Sequence, residues 1–347
     1  MASTCIDGLA PPVTTSWCES VFGQSSARPL CGAVAAISGA RCDQLVDETF
    51  LRQQIRSVGL TPDRRGSRLF GVEAGRIKRT ATNGIFQDPH QLSDALIHLG
   101  RAPTRISTYL EVGVWTAWTN ALVSAYLSRL SRGQYGFRGY ACDRWDRYIT
   151  KDTRKLLGAL NVSVVMRNDE EYKKVLAESA PISLCFIDAD HNYRGVRIDY
   201  EELAPRCRSM MFHDVIDFDT LTREGGGVPI FWAELVRSVE RSRVHEFFAQ
   251  PATYPPVFGI GVISPHATMG DGRIDAPSWQ PAFMGAGRWP QAAAFWDAWL
   301  CKHTGLYKGR ETHRWNSSLY VHCRQKLGAG AAPPEEPEAD EAASVES

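Results

Sequence analysis

The sequence predicts an α/β protein with one mostly parallel sheet and helices on both of its faces. Strand-like and helix-like patterns alternate from residue 106 to residue 264, which is typical of such a sheet. Short apolar runs end directly in acidic residues or histidine, as in the stretch LCFIDADH at 184–191. Runs of this kind are typical of buried parallel strands with polar residues at their carboxyl ends.

The hydrophobic periods place seven strands and the helices between them. A period of two or a continuous apolar run indicates a strand, whereas apolar residues three and four apart indicate a helix. The predicted strands are 106–112, 140–142, 162–166, 184–187, 210–212, 244–248 and 257–264, and the helices between them begin near 116, 152, 170, 193 and 232.

Composition divides the rest of the chain into four regions around a core at 101–265. Residues 1–42 are rich in Ser, Ala, Gly, Thr and Pro without a sustained period, so we expect a loosely ordered leader. Residues 43–100 carry two amphipathic patterns and predict a helical region that acts as a lid. Residues 266–327 predict a C-terminal extension. Residues 328–347 lack large apolar side chains apart from one valine and predict a disordered acidic tail.

The balance of charge gives no reason to expect nucleic acid or a membrane as a partner. The 347 residues hold 39 Lys and Arg against 39 Asp and Glu. No apolar run approaches the ~18 residues of a membrane span. We therefore expect a cytoplasmic protein, with an organelle transit peptide as the alternative because residues 1–41 hold only two acidic side chains. Neither composition nor pattern predicts an oligomeric state.

The cysteines predict buried thiols rather than a framework of bridges or a zinc site. The chain has nine cysteines, an odd number, and none of them form a CxxC pair. Cys142 and Cys185 lie in apolar strand patterns. We therefore expect reduced, buried cysteines of the kind found in the cytosol.

Residues suited to ligand binding stand at the ends of the first three predicted strands, which meet at one edge of a parallel sheet. Glu111 in a buried strand is costly without a partner, and a ligand ammonium would supply one. Gly113 would let a ligand approach the backbone. Asp143 is placed to accept hydrogen bonds from ribose hydroxyls, and Asn168 and Asp169 are placed to contact an adenine amine. The alternative for each residue alone is a strand-end or capping role.

The turn after the first strand argues against a dinucleotide ligand. A pyrophosphate needs the closely spaced glycines of GxGxxG, whereas Trp115, Ala117 and Trp118 fill this turn. The pattern therefore favours a nucleoside ligand without a pyrophosphate.

Two carboxylates and two histidines follow the fourth and fifth predicted strands. Asp188 and His191 lie in the first of these turns, and His213 with Asp214 lies in the second. Such groups at one sheet edge can hold a divalent cation. An imidazole with an unperturbed pKa near ~6.5 suits His191 to proton removal near neutrality. The alternatives are that the acids cap the following helix, and that His191 is itself a cap.

Several motifs taken together resemble the class I S-adenosylmethionine-dependent methyltransferases. They are LEVGVWTAWTN, CDRWD, FIDADHNYRGVRIDYEEL and FHDV, within about 88–264, roughly half of the chain. The similarity is to the group with Asp-x-Asp-His after strand four, which includes cephalosporin hydroxylase-like proteins and metal-dependent macrolide-sugar O-methyltransferases. The resemblance implies a Rossmann-like fold, with a seven-stranded sheet whose last strand is antiparallel.

The resemblance also implies roles for the strand-end residues. Glu111 and Gly113 would flank the methionine part of the cofactor, Asp143 would bind the ribose, and Asp169 would lie near the adenine. The predicted contacts to S-adenosylmethionine are Glu111, Gly113, Trp115, Asp143, Asn168, Asp169 and Asp188.

In metal-dependent members, Asp188 and Asp214 match ligand positions and His191 matches the base. We therefore predict Asp188, Asp214 and His213 as ligands of a cation such as Mg²⁺, and His191 and Asp188 as the catalytic residues. The chain departs from the pattern at Ala117, where glycine is common, and at His213, where metal-dependent members usually have a carboxylate.

Three functional hypotheses follow. The first is O-methylation of a small hydroxylated molecule or sugar. The second is a methyltransferase fold that binds the nucleoside without transferring a methyl group. The third, an NAD-type oxidoreductase, is disfavoured by the missing glycines.

Overall fold

A seven-stranded sheet forms the centre of the protein in the computed structural model. The structure describes residues 5, 10–58, 85, 87–102, 105–131, 136–167, 169–217, 227–247 and 258–264. The predicted C-terminal extension and acidic tail therefore lie outside the described residues.

The sheet has the predicted mostly parallel arrangement. Its order is β3-β2-β1-β4-β5-β7-β6, and β7 is antiparallel to both of its neighbours while the pairs from β3 to β5 are parallel. The predicted seven strands with an antiparallel last strand are thus confirmed. The strands are β1 Thr108–Val112, β2 Arg138–Asp143, β3 Val162–Met166, β4 Ile182–Ile187, β5 Cys207–Asp217, β6 Val244–Phe247 and β7 Phe258–Ile263.

Helices cover both faces of the sheet, as predicted. Successive strand residues point to opposite faces, and they fall into two separate core clusters: Tyr109 and Phe186 belong to one, Leu110 and Ile187 to the other. The helices are α1 Thr15–Phe22, α2 Arg28–Gly39, α3 Glu48–Val58, α4 Pro89–Arg101, α5 Trp118–Ser131, α6 Lys151–Ala159, α7 Glu170–Glu178, α8 Tyr193–Leu203 and α9 Gly227–Ser238.

The expectation of a loosely ordered leader is wrong for residues 10–42, because this segment forms α1 and α2. Thr14 caps α1, its side chain accepting a hydrogen bond from the Trp17 amide at 3.2 Å. Helix α2 contacts α1, α3 and α5 and buries residues around most of its circumference. A helix covered on several sides has no polar face, so its sequence shows no amphipathic period.

Helices α2 and α4 cover α5, whose fourteen residues are all buried. Helix α4 also contacts β6 and β7, and Gln91 on α4 accepts a hydrogen bond from the Gly259 amide of β7 at 2.8 Å. The region predicted as a lid is therefore tied to the sheet, and its function as a lid stays a prediction.

The prediction of reduced cysteines is wrong for six of them. The structure has disulfides Cys5–Cys42, Cys18–Cys31 and Cys185–Cys207. Cys142 is a free, buried thiol, as predicted. An odd count and apolar surroundings do not reveal which cysteines are neighbours in space, and α1 and α2 bring Cys18 and Cys31 together. Disulfides are rare in a reducing cytosol, so they weigh against the expected cytoplasmic location.

Among the helices that the structure describes, none is both long and apolar enough to cross a membrane.

We predict that removing the Cys18–Cys31 bridge by a double substitution to alanine lowers the free energy of unfolding by about 3 kcal/mol. A bridge that closes a loop of this length restricts the unfolded chain by about that amount. The measurement is denaturant unfolding without reductant. Cys142→Ala is the control, because it removes a buried sulfur that forms no bridge, and it should cost about 1 kcal/mol. Peptide mapping that finds Cys18 and Cys31 unlinked would contradict the pairing.

Candidate active site

The turn after β1 packs directly against the turn after β4. Gly113 has a φ of 94°, and a Cβ built on it would lie 2.0 Å from the Asp188 carbonyl oxygen. The Asp188 amide donates to the Val112 carbonyl at 2.9 Å. The glycine is therefore needed for the approach of the Asp188 backbone, whereas the sequence alone suggested the approach of a ligand.

Two further residues of this turn adopt left-handed backbone angles without being glycine. Trp115 has a φ of 44° and Ala117 a φ of 61°. Glycine adopts this conformation without steric cost, whereas a residue with a Cβ pays on the order of 1–2 kcal/mol. This explains why glycine suits the position of Ala117, and it shows that this chain accepts strain in the turn.

Glu111 is buried beneath the turn. The Tyr109 hydroxyl donates a hydrogen bond to Glu111 Oε2 at 2.7 Å. Burial, together with the charge of Asp188, raises the pKa of Glu111 to about 8 despite that bond. At neutral pH the side chain is therefore mostly protonated until a cationic partner arrives, which fits the expected pairing with a ligand ammonium.

Asp143 fixes the shape of the same turn. Its Oδ2 accepts a hydrogen bond from the Trp115 amide at 2.8 Å, and its Oδ1 accepts one from the Trp145 amide at 3.2 Å. The structure thus brings two predicted cofactor contacts, Asp143 and Trp115, together. A ribose contact from Asp143 stays a prediction.

The residues predicted to approach the adenine follow β3. Asn168 lies outside the described residues. Asp169 is exposed at the N-cap position of α7, and its side chain makes no capping hydrogen bond there. The capping alternative therefore does not explain Asp169.

The structure brings together Asp188, His191, His213 and Asp214, which we call the acid–histidine cluster. His191 Nε2 lies 3.0 Å from Asp214 Oδ2 and 3.8 Å from Asp188 Oδ1. His213 Nδ1 lies 2.9 Å from Asp214 Oδ1 and 3.2 Å from Asp188 Oδ1. Each histidine therefore faces both carboxylates.

Strand register produces this convergence. Strands β4 and β5 are parallel, with Ile187 opposite Phe212, so Asp188 and His213 follow in step on neighbouring strands. Asp214 has a φ of 60°, a left-handed angle that is uncommon for residues other than glycine. Backbone strain of this kind persists only where the surroundings hold it, and it is often found at functional sites.

The residue that caps α8 is Asn192 and not His191. The Asn192 side chain accepts a hydrogen bond from the Gly195 amide at 2.8 Å and caps α8. Asp190 accepts one from the Asn192 amide at 3.2 Å. The alternative in which His191 is the helix cap is therefore wrong, and His191 instead faces the two acids of the cluster.

The electrostatics of the cluster differ from the sequence expectation. Burial alone would lower the pKa of His191, but hydrogen bonds and charges from Asp188 and Asp214 outweigh it and raise the pKa to about 10. The pKa of His213 is raised for the same reason against the same burial. Burial works to raise the pKa of Asp188, yet the two histidines lower it to about 2. At neutral pH the histidines are therefore protonated and balance the carboxylates.

Three side chains of the cluster fit a divalent cation. Asp188, His191 and Asp214 each offer one ligand atom, and these atoms lie within 4.8 Å of one another. Two carboxylate oxygens and one imidazole nitrogen form a suitable donor set for such an ion. His213, the predicted third ligand, faces the same carboxylates. The cation would take the place of charge that protons on the histidines now supply.

Sequence reasoning missed Gln87, Thr119 and Tyr109. Gln87 Nε2 donates to Asp188 Oδ2 at 2.7 Å, and the Thr119 hydroxyl donates to Gln87 Oε1 at 2.6 Å. No motif signals Gln87, because it lies 101 residues before Asp188 in the chain. Tyr109 could have been found, since a period of two places it on the same strand face as Glu111.

We predict that Gly113→Ala destabilises the protein by several kcal/mol, because the new Cβ would overlap the Asp188 backbone. Gly136→Ala is a matched control. Gly136 also has a positive φ, 71°, but a Cβ there has no described atom within 4 Å, so only the backbone cost of about 1–2 kcal/mol applies. Thermal and denaturant unfolding measure both variants, and equal losses would show that the close approach is absent in solution.

Comparison with known proteins finds a family match in the central part of the chain. Residues 110–215, from β1 to β5, match the family described as a methyltransferase domain. No curated protein matches the chain.

Several solved structures are similar at low identity. An O-methyltransferase from Bacillus cereus in complex with SAH is 16% identical, and the alignment covers 46% of this chain and 74% of the Bacillus cereus chain with a TM-score of 0.34. A putative O-methyltransferase from Klebsiella pneumoniae has 15% identity, coverage of 52% and 81%, and a TM-score of 0.36. The N-terminal domain of EvdMO1, in the presence of SAH and D-fucose, has 10% identity, coverage of 65% and 100%, and a TM-score of 0.32. At these values the similarities assign no activity to the chain.

Residues 110–215 thus match a methyltransferase domain, and they lie in a seven-stranded sheet with an antiparallel β7, which is the Rossmann-like fold that the resemblance to class I S-adenosylmethionine-dependent methyltransferases implied.

Proposed function

We propose that the protein transfers the methyl group of S-adenosylmethionine to a hydroxyl oxygen of a small molecule or sugar. The observation that carries this proposal is the acid–histidine cluster at the carboxyl edge of β4 and β5, beside the turn after β1. Ligands of open α/β sheets bind at this edge. Methyl transfer to oxygen needs a proton acceptor there, and the cluster contains candidates.

Methyl transfer to a hydroxyl requires that the acceptor oxygen be aligned with the methyl group and that its proton be removed. The sulfonium methyl is already activated, so holding the acceptor oxygen in line supplies much of the rate, up to about 7–11 kcal/mol in favourable cases. Asp188 and Asp214, with His213 as the predicted third ligand, would hold a divalent cation, which supplies Lewis acidity toward the acceptor hydroxyl and leaves His191 as the base. In this proposal the chain's own groups orient the acceptor and take its proton.

His191 is the favoured proton acceptor. Its side chain is 26% exposed, whereas the His213 side chain is 3% exposed and that of Asp214 is 1% exposed. An incoming hydroxyl would therefore meet His191 first. The acids raise the pKa of His191, so neutralising them with a divalent cation would remove the cause of that shift and free His191 to accept a proton.

The cofactor would lie along the first three strands. Glu111 would pair with the ammonium of the methionine part, and Asp143 would accept from the ribose while it keeps the Trp115 amide in place. Asn168 and Asp169 would approach the adenine. These assignments rest on the position of each residue at the end of β1, β2 or β3.

A second candidate is a module that binds the nucleoside without methyl transfer. The geometry favours it: His191 and His213 lie 3.0 Å and 2.9 Å from Asp214 oxygens, and the acids raise the pKa of both histidines, so protonated imidazoles can balance the two carboxylates without any cation. The NAD-type alternative gains no support, because Trp115 and Ala117 stand in the turn where a pyrophosphate needs glycine.

We predict that His191→Ala slows methyl transfer by about 10²–10⁴-fold, the usual contribution of a positioned acid or base. The assay measures formation of S-adenosylhomocysteine from a panel of hydroxylated small molecules and sugars, with and without Mg²⁺. Cofactor affinity, measured by calorimetry, should change little. His90→Ala on α4 is the control histidine and should leave both quantities unchanged.

Turnover that is unaltered in His191→Ala would remove this residue from the mechanism. Cofactor binding without turnover on any acceptor, with or without Mg²⁺, would favour the binding module.

We further predict that S-adenosylhomocysteine binding at pH 7 releases about one proton. Glu111 with a pKa of about 8 is mostly protonated before the ligand binds, and pairing with the ligand ammonium would ionise it. Above pH 8 the release should fade, because the carboxyl is then already ionised. Calorimetry in buffers of different ionisation enthalpy measures the proton count. Glu111→Gln cannot ionise, and an undiminished release in that variant would reject the assignment.

A further inference from the structure

Gln87 connects two parts of the site that belong to different turns. It is buried, with 6% of its surface exposed, and it lies just before α4. Its Nε2 donates to Asp188 Oδ2 at 2.7 Å, and its Oε1 accepts from the Thr119 hydroxyl at 2.6 Å. Thr119 belongs to the first turn of α5, directly after the turn that follows β1. One side chain thus joins the end of β4 to the start of α5.

The two hydrogen bonds determine which way each group faces. Because the Thr119 hydroxyl donates to the amide oxygen, the amide nitrogen of Gln87 must face Asp188. Because Gln87 takes Oδ2 of Asp188, the other oxygen, Oδ1, is the one that faces His213 at 3.2 Å and His191 at 3.8 Å. The rotation of the Asp188 carboxylate is therefore defined by a residue from outside β1–β5.

The chemistry of the amide also matters. A lysine or arginine in this place would neutralise Asp188 and compete with the histidines or with a cation. A glutamine donates one hydrogen bond without adding charge, so the negative charge of Asp188 stays available to the cluster.

We propose that Gln87 is a positioning residue of the acid–histidine cluster: held by Thr119, it fixes the Asp188 carboxylate so that Oδ1 faces the histidines. Its part in cation binding rests on the proposed function, whereas its part in orienting Asp188 does not. Groups that orient a metal ligand typically change metal affinity by about 10–100-fold when they are removed.

The test compares Gln87→Leu with Gln91→Leu. Gln91 is also a buried glutamine, on α4, and its side chain bonds to the Gly259 amide instead of to the cluster. Both variants lose a buried hydrogen bond in the same part of the chain, so loss of stability alone affects both. Thr119→Val removes only the bond that orients the Gln87 amide and provides a milder change if Gln87→Leu fails to fold.

Two measurements report on Asp188 without requiring turnover. The first is the NMR signal of the His213 Nδ1 proton in protein labelled with ¹⁵N-histidine and kept free of metal, because Nδ1 lies 3.2 Å from Asp188 Oδ1 and 2.9 Å from Asp214 Oδ1, so a rotation of the Asp188 carboxylate changes its surroundings. The second is Mn²⁺ affinity by calorimetry. Gln87→Leu and Thr119→Val should shift the signal and weaken Mn²⁺ binding, the first by roughly 10–100-fold, while Gln91→Leu should change neither.

The two measurements distinguish failure of the positioning role from failure of the proposed cation site. A folded Gln87→Leu variant with the wild-type His213 signal and wild-type Mn²⁺ affinity would overturn the positioning role. If the wild-type protein binds no Mn²⁺ while the His213 signal still moves in Gln87→Leu and Thr119→Val, the positioning role stands and the proposed cation fails.

Discussion

The position of the half-buried Asp188 beside the buried Asp214, with the buried Glu111 close enough to interact, is the constraint on which the site depends. Three carboxyl groups in a poorly solvated place cannot all carry charge without positive partners or donors. The chain supplies two imidazolium groups and one neutral amide, and it keeps Glu111 mostly protonated. The backbone of Asp188 adds a second constraint, since its approach leaves room only for glycine at position 113.

The N-terminal segment matters to the site because its helices pack on α5 and because Gln87 contacts Asp188. Helix α5 begins directly after the turn that follows β1, and its full burial comes from the helices packed around it, α2 and α4 among them. Helix α4 is in turn tied to β7 through Gln91. Gln87 lies two residues before α4, and its side chain reaches Asp188. A segment outside the matched family region thus contributes a side chain to the site, so residues 110–215 alone would lack part of it.

The sequence predicted features that depend on neighbouring residues in the chain, and it missed features that depend on contacts between distant residues. Strand β3 and helix α7 have the predicted bounds, because their apolar runs and periods are flanked by clear breaks. The convergence of Asp188 with His213 followed from two parallel strands in sequence order. Helix α2 was missed because it is buried on several sides and has no polar face, and the disulfides and Gln87 were missed because they depend on neighbours distant in the chain. The pKa of His191 differs from the expected value for the same reason: an unperturbed value of ~6.5 ignores two carboxylates within 4 Å.

Protons in the site stand where ligand charge would stand once a ligand is bound. Glu111 holds a proton until an ammonium arrives, and the histidines hold protons that a cation would replace. A core needs no such arrangement for stability, since apolar residues of similar volume often serve as well as buried ion pairs or better. The left-handed backbone at Asp214 adds a further cost. We therefore infer that the cluster serves ligand binding and proton transfer rather than stability alone, which favours the methyltransferase over a purely structural interpretation of the same residues.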